Sequence, residues 1–378
     1  MILGVPKEIK DHETRVGITP AGVKALSEQG HRVLMETQAG ALSAFADKGY
    51  RLAGAEIVNE ADVLWLRSQM IVKVKEPMPA EFRFFCEGLT FLTYFHLAPL
   101  LDLTDALLQC GMLKSAYETI ADDTRRLPLL IPMSEVAGLM SVQVGAAYLQ
   151  AGSGGRGVLL GGVPGVPPAL VCILGGGVVG TNAARVALGM GACVTILDLS
   201  LNRLRTLDEI CNGKVHTLAS NSYNVAHATK EADLVIGGVL IPGLSAPKIL
   251  TKKLVANMKR GAVTVDVVID QGGCIETAKP TTHSDPVYEV NEVVHDYVSN
   301  MPAAVPNTST LAMANATLPY VMKLAQLGVM GAIKADRAIR TGVNTCRGML
   351  TCGAIALSQN RPWQIVEDLP LGKNLNHR

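Results

Sequence analysis

The run Gly175-Gly176-Gly177-Val178-Val179-Gly180 has the spacing G-x-G-x-x-G. In a chain with 37 glycines that spacing arises readily by chance, so its setting decides its weight. The setting is favourable. A short apolar run, Ala169 to Leu174, ends at the first glycine, a helical pattern begins within the motif, and Asp198 closes the next apolar run 18 residues past Gly180. Each part has a physical task. Gly175 permits the tight turn, Gly177 lets backbone approach a pyrophosphate, and Gly180 lets helix pack on strand. The helix start then offers unpaired N–H groups and the positive end of its dipole to phosphates. Asp198 is placed to accept hydrogen bonds from an adenosine ribose and to repel a 2′-phosphate, favouring NAD over NADP. Arg203 and Arg205 lie close enough in sequence to blur that preference, but the carboxylate at the strand end should dominate.

Four further polar residues share a second kind of position. Arg15 follows the first strand by a short loop, and Lys75 ends the run Met70 to Lys75. His96 follows the run Leu89 to Phe95, and Asp270 closes the strand that includes Val263, Val265 and Val267. All four therefore fall beyond carboxyl ends of strands, the edge where open α/β sheets bind ligands. Singly, each has an ordinary explanation: Arg15 and Lys75 as solvated charges, His96 as a satisfied core histidine, Asp270 as a turn former before Gly272-Gly273. Their convergence on one edge favours chemistry. A guanidinium and an ammonium suit a small carboxylate, and a histidine exchanges protons near neutral pH. A carboxylate can position ammonium or water. Beside a nicotinamide this set suits hydride transfer at the α-carbon of a small acid.

The elements that must position these groups read as two α/β series. In the first, strands are expected at Leu3 to Val5, His31 to Glu36, Met70 to Lys75, Leu89 to Phe95 and Leu113 to Tyr117. Thr19-Pro20 opens a helix that runs to Gly30. Apolar strands alternating with helices imply a mainly parallel sheet covered on both faces. A helix over Ser134 to Gln150 leads to the second series. Its strands are expected at Ala169 to Leu174, Cys193 to Asp198, Ala232 to Gly237 and Ala262 to Ile269, with helices from Val178 to about Met190 and from Leu201. Ser309 to about Leu357 reads as helical. The expected fold is α/β with two Rossmann-like, doubly wound domains. Residues 1–130 and 307–378 form a discontinuous substrate domain, and residues 131–306 form an inserted NAD-binding domain. Such an insertion makes a cleft at the hinge, a preferred place for ligands.

Composition excludes other classes. The chain of 378 residues is 48% hydrophobic and 18% charged, which argues against disorder. A net charge of +1 and the absence of a long basic run argue against nucleic-acid binding. Eight cysteines without a CxxC pair or zinc-like spacing suggest a reducing compartment and no structural metal. The start shows no signal-peptide pattern, so a cytoplasmic location is expected. The uncharged stretch Gly157 to Ala184 is long enough to span a bilayer, but Pro164, Pro167, Pro168 and a crowd of glycines argue instead for soluble core, with no membrane partner.

Long stretches resemble one family. They include VPKEIK and RVGITPAGV within 5–23, IVKVKEP at 71–77, TYFHLA at 93–98, PMSEVAG at 132–138 and LLGGVPGVPPALVCILGGGVVGTNAA at 159–184. VTILDLSLNRLRTLD at 194–208, VDVVIDQGGCIET at 265–277 and VSNMPAAVPNTST at 298–310 continue the series. Together they make the chain similar to the bacterial L-alanine dehydrogenases, relatives of the NAD-binding subunit of transhydrogenase. The resemblance implies reversible conversion of L-alanine, NAD and water to pyruvate, ammonium and NADH, in a homo-oligomer, expected to be a hexamer. It implies that Arg15 and Lys75 hold the substrate carboxylate and carbonyl oxygen, that His96 is the general acid/base, and that Asp270 orients water or ammonium. Cofactor contacts are implied for Ser134, Gly175, Gly177, Val178, Val179, Gly180, Asp198, Arg203, Ser220, Val239 and Leu240. They are also implied for Val267, Val268, Ile269, Asp270, Lys279, Val298, Ser299, Asn300 and Met301.

Some positions depart from the family. Ala41 to Phe45 replaces a glycine-richer loop, Leu139 stands where arginine is common, and Lys279 also replaces a common arginine and would slightly alter cofactor affinity. Lys323 and Leu327 occupy positions where some relatives place magnesium ligands, so no metal is expected. Two alternatives remain open: the transhydrogenase subunit, which needs no amine acid/base pair, and a non-enzymatic NAD-binding protein, which would be expected to have lost one of the four polar groups.

Overall fold

The computed structural model describes residues 1–111, 114–239 and 246–369. It divides into two compact units, Met1–Met133 with Ala303–Arg378, and Ser134–Pro302.

In the first unit the chain lays down β1 (Ile2–Val5), β2 (Arg32–Glu36), β3 (Glu56–Val58), β4 (Met70–Val72), β5 (Thr90–Thr93) and β6 (Lys114–Ala116). The second unit supplies β7 (Leu170–Leu174), β8 (Cys193–Asp198), β9 (Val215–Ala219), β10 (Leu234–Gly237), β11 (Val263–Asp266), β12 (Val287–Val290) and β13 (Val293–Asp296). β14 (Val343–Cys346) and β15 (Met349–Leu350) then return to the first unit.

The first sheet has the order β15-β14-β6-β5-β4-β1-β2-β3. It is parallel from β6 to β3, and β14 runs antiparallel to both β6 and β15. Its central strands are buried on both faces, as in Met70, Ile71 and Val72, which is why they read as unbroken apolar runs. The helix Pro20–Glu28 starts where sequence placed it. The Thr19 side chain accepts from Gly22 N at 3.3 Å, and Pro20 occupies the first turn.

Two expectations need correction. The segment from Ser309 to Leu357 is not continuously helical. A helix runs over Pro306–Ala335 with a break at Gly328 (φ 65°), and a second, Arg337–Gly342, is capped by Asp336, whose Oδ1 accepts from Ala338 N at 2.8 Å. The chain then becomes extended as β14 and β15. Small apolar composition suits either state. Pairing with β6 through Val343 and Ser115 selects the strand. The helix Pro306–Ala335 is long and apolar enough to cross a membrane, but Met313, Val321 and Leu324 are buried in the first unit and Thr310 Oγ1 accepts from Val16 N at 3.2 Å. The uncharged stretch 157–184, long enough for a bilayer span but expected to be core, divides into loop, β7 and the opening of the helix Val178–Gly189.

The second correction concerns where strands stop. β4 ends at Val72, although ladder bonds from Lys73 N to Leu92 O and from Tyr94 N to Val74 O prolong the extended chain. β11 ends at Asp266, so Asp270 does not close it. The Asp266 carboxylate accepts from Val268 N at 3.1 Å and Ile275 N at 3.0 Å, curling the backbone away from the sheet. Asp270 then lies in the short turn Ile269–Gln271, which Gly272 terminates at φ 88°.

The second sheet has the order β12-β13-β11-β10-β7-β8-β9, parallel except for the β12–β13 hairpin. From β7 the chain moves outward through β8 and β9, then crosses back to β10 on the other side of β7. That reversal is the topological switch point of a doubly wound sheet.

Candidate active site

The glycine motif lies at the switch point. Gly175 leaves β7 with φ 97°, a left-handed conformation that favours glycine. A Cβ there would stand 2.8 Å from Val239 Cγ2, so the ends of β7 and β10 meet. A Cβ on Gly180 would overlap the Gly175 carbonyl oxygen, which is the close helix-on-strand packing that glycine allows. Gly177 differs. It precedes the helix Val178–Gly189 with no side-chain cap, and a Cβ there would meet no protein atom within 4 Å. The cradle is open where a pyrophosphate would sit, with helix N–H groups facing it, so these residues fit a dinucleotide.

Asp198 ends β8 and ties itself to this turn. Its Oδ2 accepts from Gly176 N at 2.8 Å and its Oδ1 from Ser200 N at 2.8 Å. Arg203 is drawn inward, its Nε donating to Gly176 O at 2.5 Å and its Nη2 to Thr181 Oγ1 at 2.5 Å. It braces the motif, while Arg205 turns to Asn202 Oδ1 at 2.7 Å. Ser220 follows β9, and its N–H donates to Asp198 O at 2.9 Å. Val239 follows β10, the segment Val267 to Asp270 follows β11, and Val298 to Met301 follows β13. These groups therefore share the carboxyl edge of one sheet. Asn300 adopts φ 68° and its carbonyl faces the His283 ring at 3.4 Å. Ser134 lies one turn before Gly138, whose Cα approaches the Val179 carbonyl. Lys279 is exposed, with its N–H on the Tyr288 hydroxyl at 2.7 Å. Leu240 lies outside the described residues.

In the first unit the strand order β5-β4-β1 brings His96, Lys75 and Arg15 past three adjacent parallel strand ends. Arg15 and Lys75 are not solvated surface charges; they are 2% and 5% exposed. Arg15 is paired side-on with Glu13, Nε to Oε1 at 2.7 Å and Nη2 to Oε2 at 2.5 Å, and its Nη1 contacts Met133 Sδ at 3.1 Å. Burial works against the guanidinium charge, but Glu13 outweighs it and raises its pKa. The Lys75 carbonyl accepts from Thr93 Oγ1 at 2.9 Å.

His96 is half-buried, and its backbone is left-handed at φ 48°, a cost of about 1–2 kcal/mol for a residue with a side chain. Its ring stacks on Tyr94, with centroids 6.0 Å apart and planes 12° apart. The Tyr94 hydroxyl donates to Leu129 O, and burial raises its pKa. His295 in the second unit shows the contrast. Its Nδ1 donates to Val293 O at 2.8 Å and its Nε2 accepts from Thr277 Oγ1 at 2.8 Å, so it is a satisfied core histidine held neutral by burial. Asp270, by comparison, is exposed at the edge of the second sheet.

Sequence reasoning missed the residues that hold this cluster. Glu13 was legible only as a carboxylate two positions from Arg15. Lys73 is buried between Glu8 (3.1 Å) and Glu81 (2.7 Å), and Glu8 Oε1 also accepts from Val74 N at 2.7 Å, steadying the backbone between Lys73 and Lys75. Burial pushes the Glu8 carboxyl up to about 7, against the opposing pull of Lys73. Glu118 follows β6 as His96 follows β5, and that shared position was the available signal.

A doubly wound sheet with an open phosphate cradle in one unit, and in the other buried cationic groups and a half-buried histidine past its strands, define a dinucleotide-dependent enzyme class. Residues 4–137 match the family "Alanine dehydrogenase/PNT, N-terminal domain" and residues 141–353 match "Alanine dehydrogenase/PNT, C-terminal domain". The chain belongs to the alanine dehydrogenase/PNT family. It is 53% identical over 369 residues to an alanine dehydrogenase of Staphylococcus haemolyticus, covering 97% of this chain and 99% of that one. It is 52% identical to alanine dehydrogenase 2 of Staphylococcus aureus over the same shares. A solved L-alanine dehydrogenase superposes with a TM-score of 0.91 at 50% identity, over 95% of this chain and 99% of that one. A transhydrogenase from Sinorhizobium meliloti shares the fold, with a TM-score of 0.78 at 24% identity over 94% of this chain and 100% of that one.

Proposed function

We propose that the chain is an NAD-dependent L-alanine dehydrogenase, interconverting L-alanine with pyruvate and ammonium. One observation carries the reading: the three first-unit polar groups expected of an amino-acid site follow three neighbouring parallel strands, β1, β4 and β5, in a chain about half identical along its length to proteins named alanine dehydrogenase. The cluster does not suit a subunit that merely exchanges hydride between nucleotides. A substrate carboxylate would pair with Arg15 and Lys75, whose burial strengthens the attraction. Gly175 to Gly180, Asp198 and the segments after β10, β11 and β13 would hold NAD, which would supply the hydride acceptor. Asp198 favours a free ribose hydroxyl, hence NAD over NADP.

His96 would take a proton as the amine is oxidised and return one when the carbinolamine releases ammonia. Asp270, acceptor-only when ionised, would orient water or ammonium. We also read the chain as a homo-oligomer, the assembly that its resemblance to the alanine dehydrogenases implies. The test is direct. L-alanine and NAD at alkaline pH should yield NADH absorbance, and His96→Ala should lower turnover by orders of magnitude while leaving NADH binding nearly intact. NADH binding without alanine-dependent reduction would favour the transhydrogenase-type reading.

A further inference from the structure

We propose that Glu118 is a positioning residue that aims the His96 imidazole by clamping the backbone that carries it, an inference that rests on the acid/base reading of His96. The β5–β6 register ends with Thr93 opposite Ala116. Continued in register, Tyr94 meets Tyr117, their rings edge-on with centroids 4.9 Å apart, and Phe95 meets Glu118. The last ladder bond of β5 toward β4 is Tyr94 N to Val74 O at 3.1 Å. Beyond it the next two N–H groups both turn to one carboxylate. His96 N donates to Glu118 Oε1 at 2.7 Å, and Phe95 N donates to Oε1 at 3.1 Å and Oε2 at 3.2 Å.

Two successive N–H groups on one anion form a backbone nest, filled here by a side chain of the same protein. The clamp coincides with the one unusual torsion of the segment, the left-handed His96. That torsion lets Phe95 remain fully buried while the His96 ring folds back over Tyr94. Tyr94 is fixed at its own tip by Leu129 O. The imidazole is thus located from two directions, through its backbone by Glu118 and through its face by Tyr94. An acid/base group displaced by about 1 Å loses about a hundredfold in rate, so fixing it matters to turnover more than to binding.

The test compares Glu118→Ala, Glu118→Gln and His96→Ala in the full chain. The measurements are amide exchange across residues 93–98, steady-state kinetics with L-alanine and NAD over a pH range, and NADH affinity by fluorescence. For Glu118→Ala, exchange at Phe95 and His96 should accelerate and kcat should fall about a hundredfold. NADH affinity should stay within about twofold. Glu118→Gln keeps one oxygen able to accept from His96 N and should restore most of the turnover, with a pH–rate profile of unchanged shape.

Turnover within about twofold of the unsubstituted enzyme in Glu118→Ala, despite accelerated exchange, would overturn the proposal. So would Glu118→Gln being as slow as Glu118→Ala, because charge and not hydrogen-bond acceptance would then be at work. If Glu118→Ala loses NADH binding through misfolding, Glu118→Gln alone decides on the same criteria. If His96→Ala keeps turnover, the acid/base reading itself falls. If His96→Ala is inactive and Glu118→Ala is not, only the clamp falls.

Discussion

The Asp198 carboxylate holds the glycine turn from outside, its Oδ2 accepting the Gly176 N–H at 2.8 Å. A residue suited to the adenosine ribose is thereby fixed to the loop suited to the pyrophosphate. Removing it should affect both contacts. Asp198→Ala should lower kcat/KM with NAD about 10–100-fold, the scale of lost charge-assisted hydrogen bonds. It should lower kcat/KM with NADP far less, since a repulsive charge leaves as well. The ratio of the two specificity constants is the measurement. An unchanged ratio would remove Asp198 from cofactor selection.

Two glycines of the same motif should fail in different ways. A methyl group at Gly180 collides with the Gly175 carbonyl, a backbone atom that cannot swing aside. Gly180→Ala should therefore destabilise the second unit by about 1–3 kcal/mol, as overpacking does, seen as a lower melting temperature without ligand. At Gly177 the methyl meets no protein atom within 4 Å. Gly177→Ala should melt like the parent protein and yet bind NADH at least about tenfold more weakly, because the methyl occupies the phosphate approach. Equal melting losses in both variants would contradict this assignment of roles.

The glycine turn and the elements flanking it were largely legible in the sequence because their logic is local. A strand, a glycine turn and a helix adjoin in the chain, and β8 matches its expected bounds, Cys193 to Asp198. The support around Arg15, Lys75 and His96 was not legible because it depends on pairing between distant segments. Glu118 reaches His96 only through the β5–β6 register, and Glu8 reaches Val74 only because β1 lies beside β4. β14 was hidden for the same reason. Its residues become a strand by pairing with β6, more than 200 positions earlier in the chain. Asp270 was expected on one edge with the other three polar groups, whereas it follows β11 of the second sheet and they follow strands of the first, and the curl made by Asp266 was not foreseen either.

Arg15 and Glu13 form a buried fork in which the carboxylate takes the Nε and Nη2 edge of the guanidinium. Lysine cannot reproduce two parallel bonds from one rigid plane. Arg15→Lys should raise KM for L-alanine about tenfold or more while leaving NADH affinity unchanged. It should also cost about 1–3 kcal/mol of stability, because Glu13 would be left partly unsatisfied in a buried position. Separate alanine and NADH titrations would check the split. An unchanged KM would place the substrate carboxylate elsewhere.

Glu8 gives the first unit a distinctive pH response. Burial raises its carboxyl from 4.5 to about 7 in the folded chain, with Lys73 only partly offsetting the penalty. Between those values the folded state binds more protons than the unfolded state. The stability linked to Glu8 is therefore fully present below about pH 4.5 and is lost as pH rises toward 7. The span corresponds to about 3 kcal/mol as an order of magnitude. Glu8→Gln cannot titrate and should lack this component. In urea unfolding, the stability of the parent protein relative to Glu8→Gln should therefore decline steadily from about pH 5 to about pH 7 and then level off. A difference that stays constant, or that grows in favour of the parent protein over that range, would show that Lys73 holds Glu8 ionised throughout.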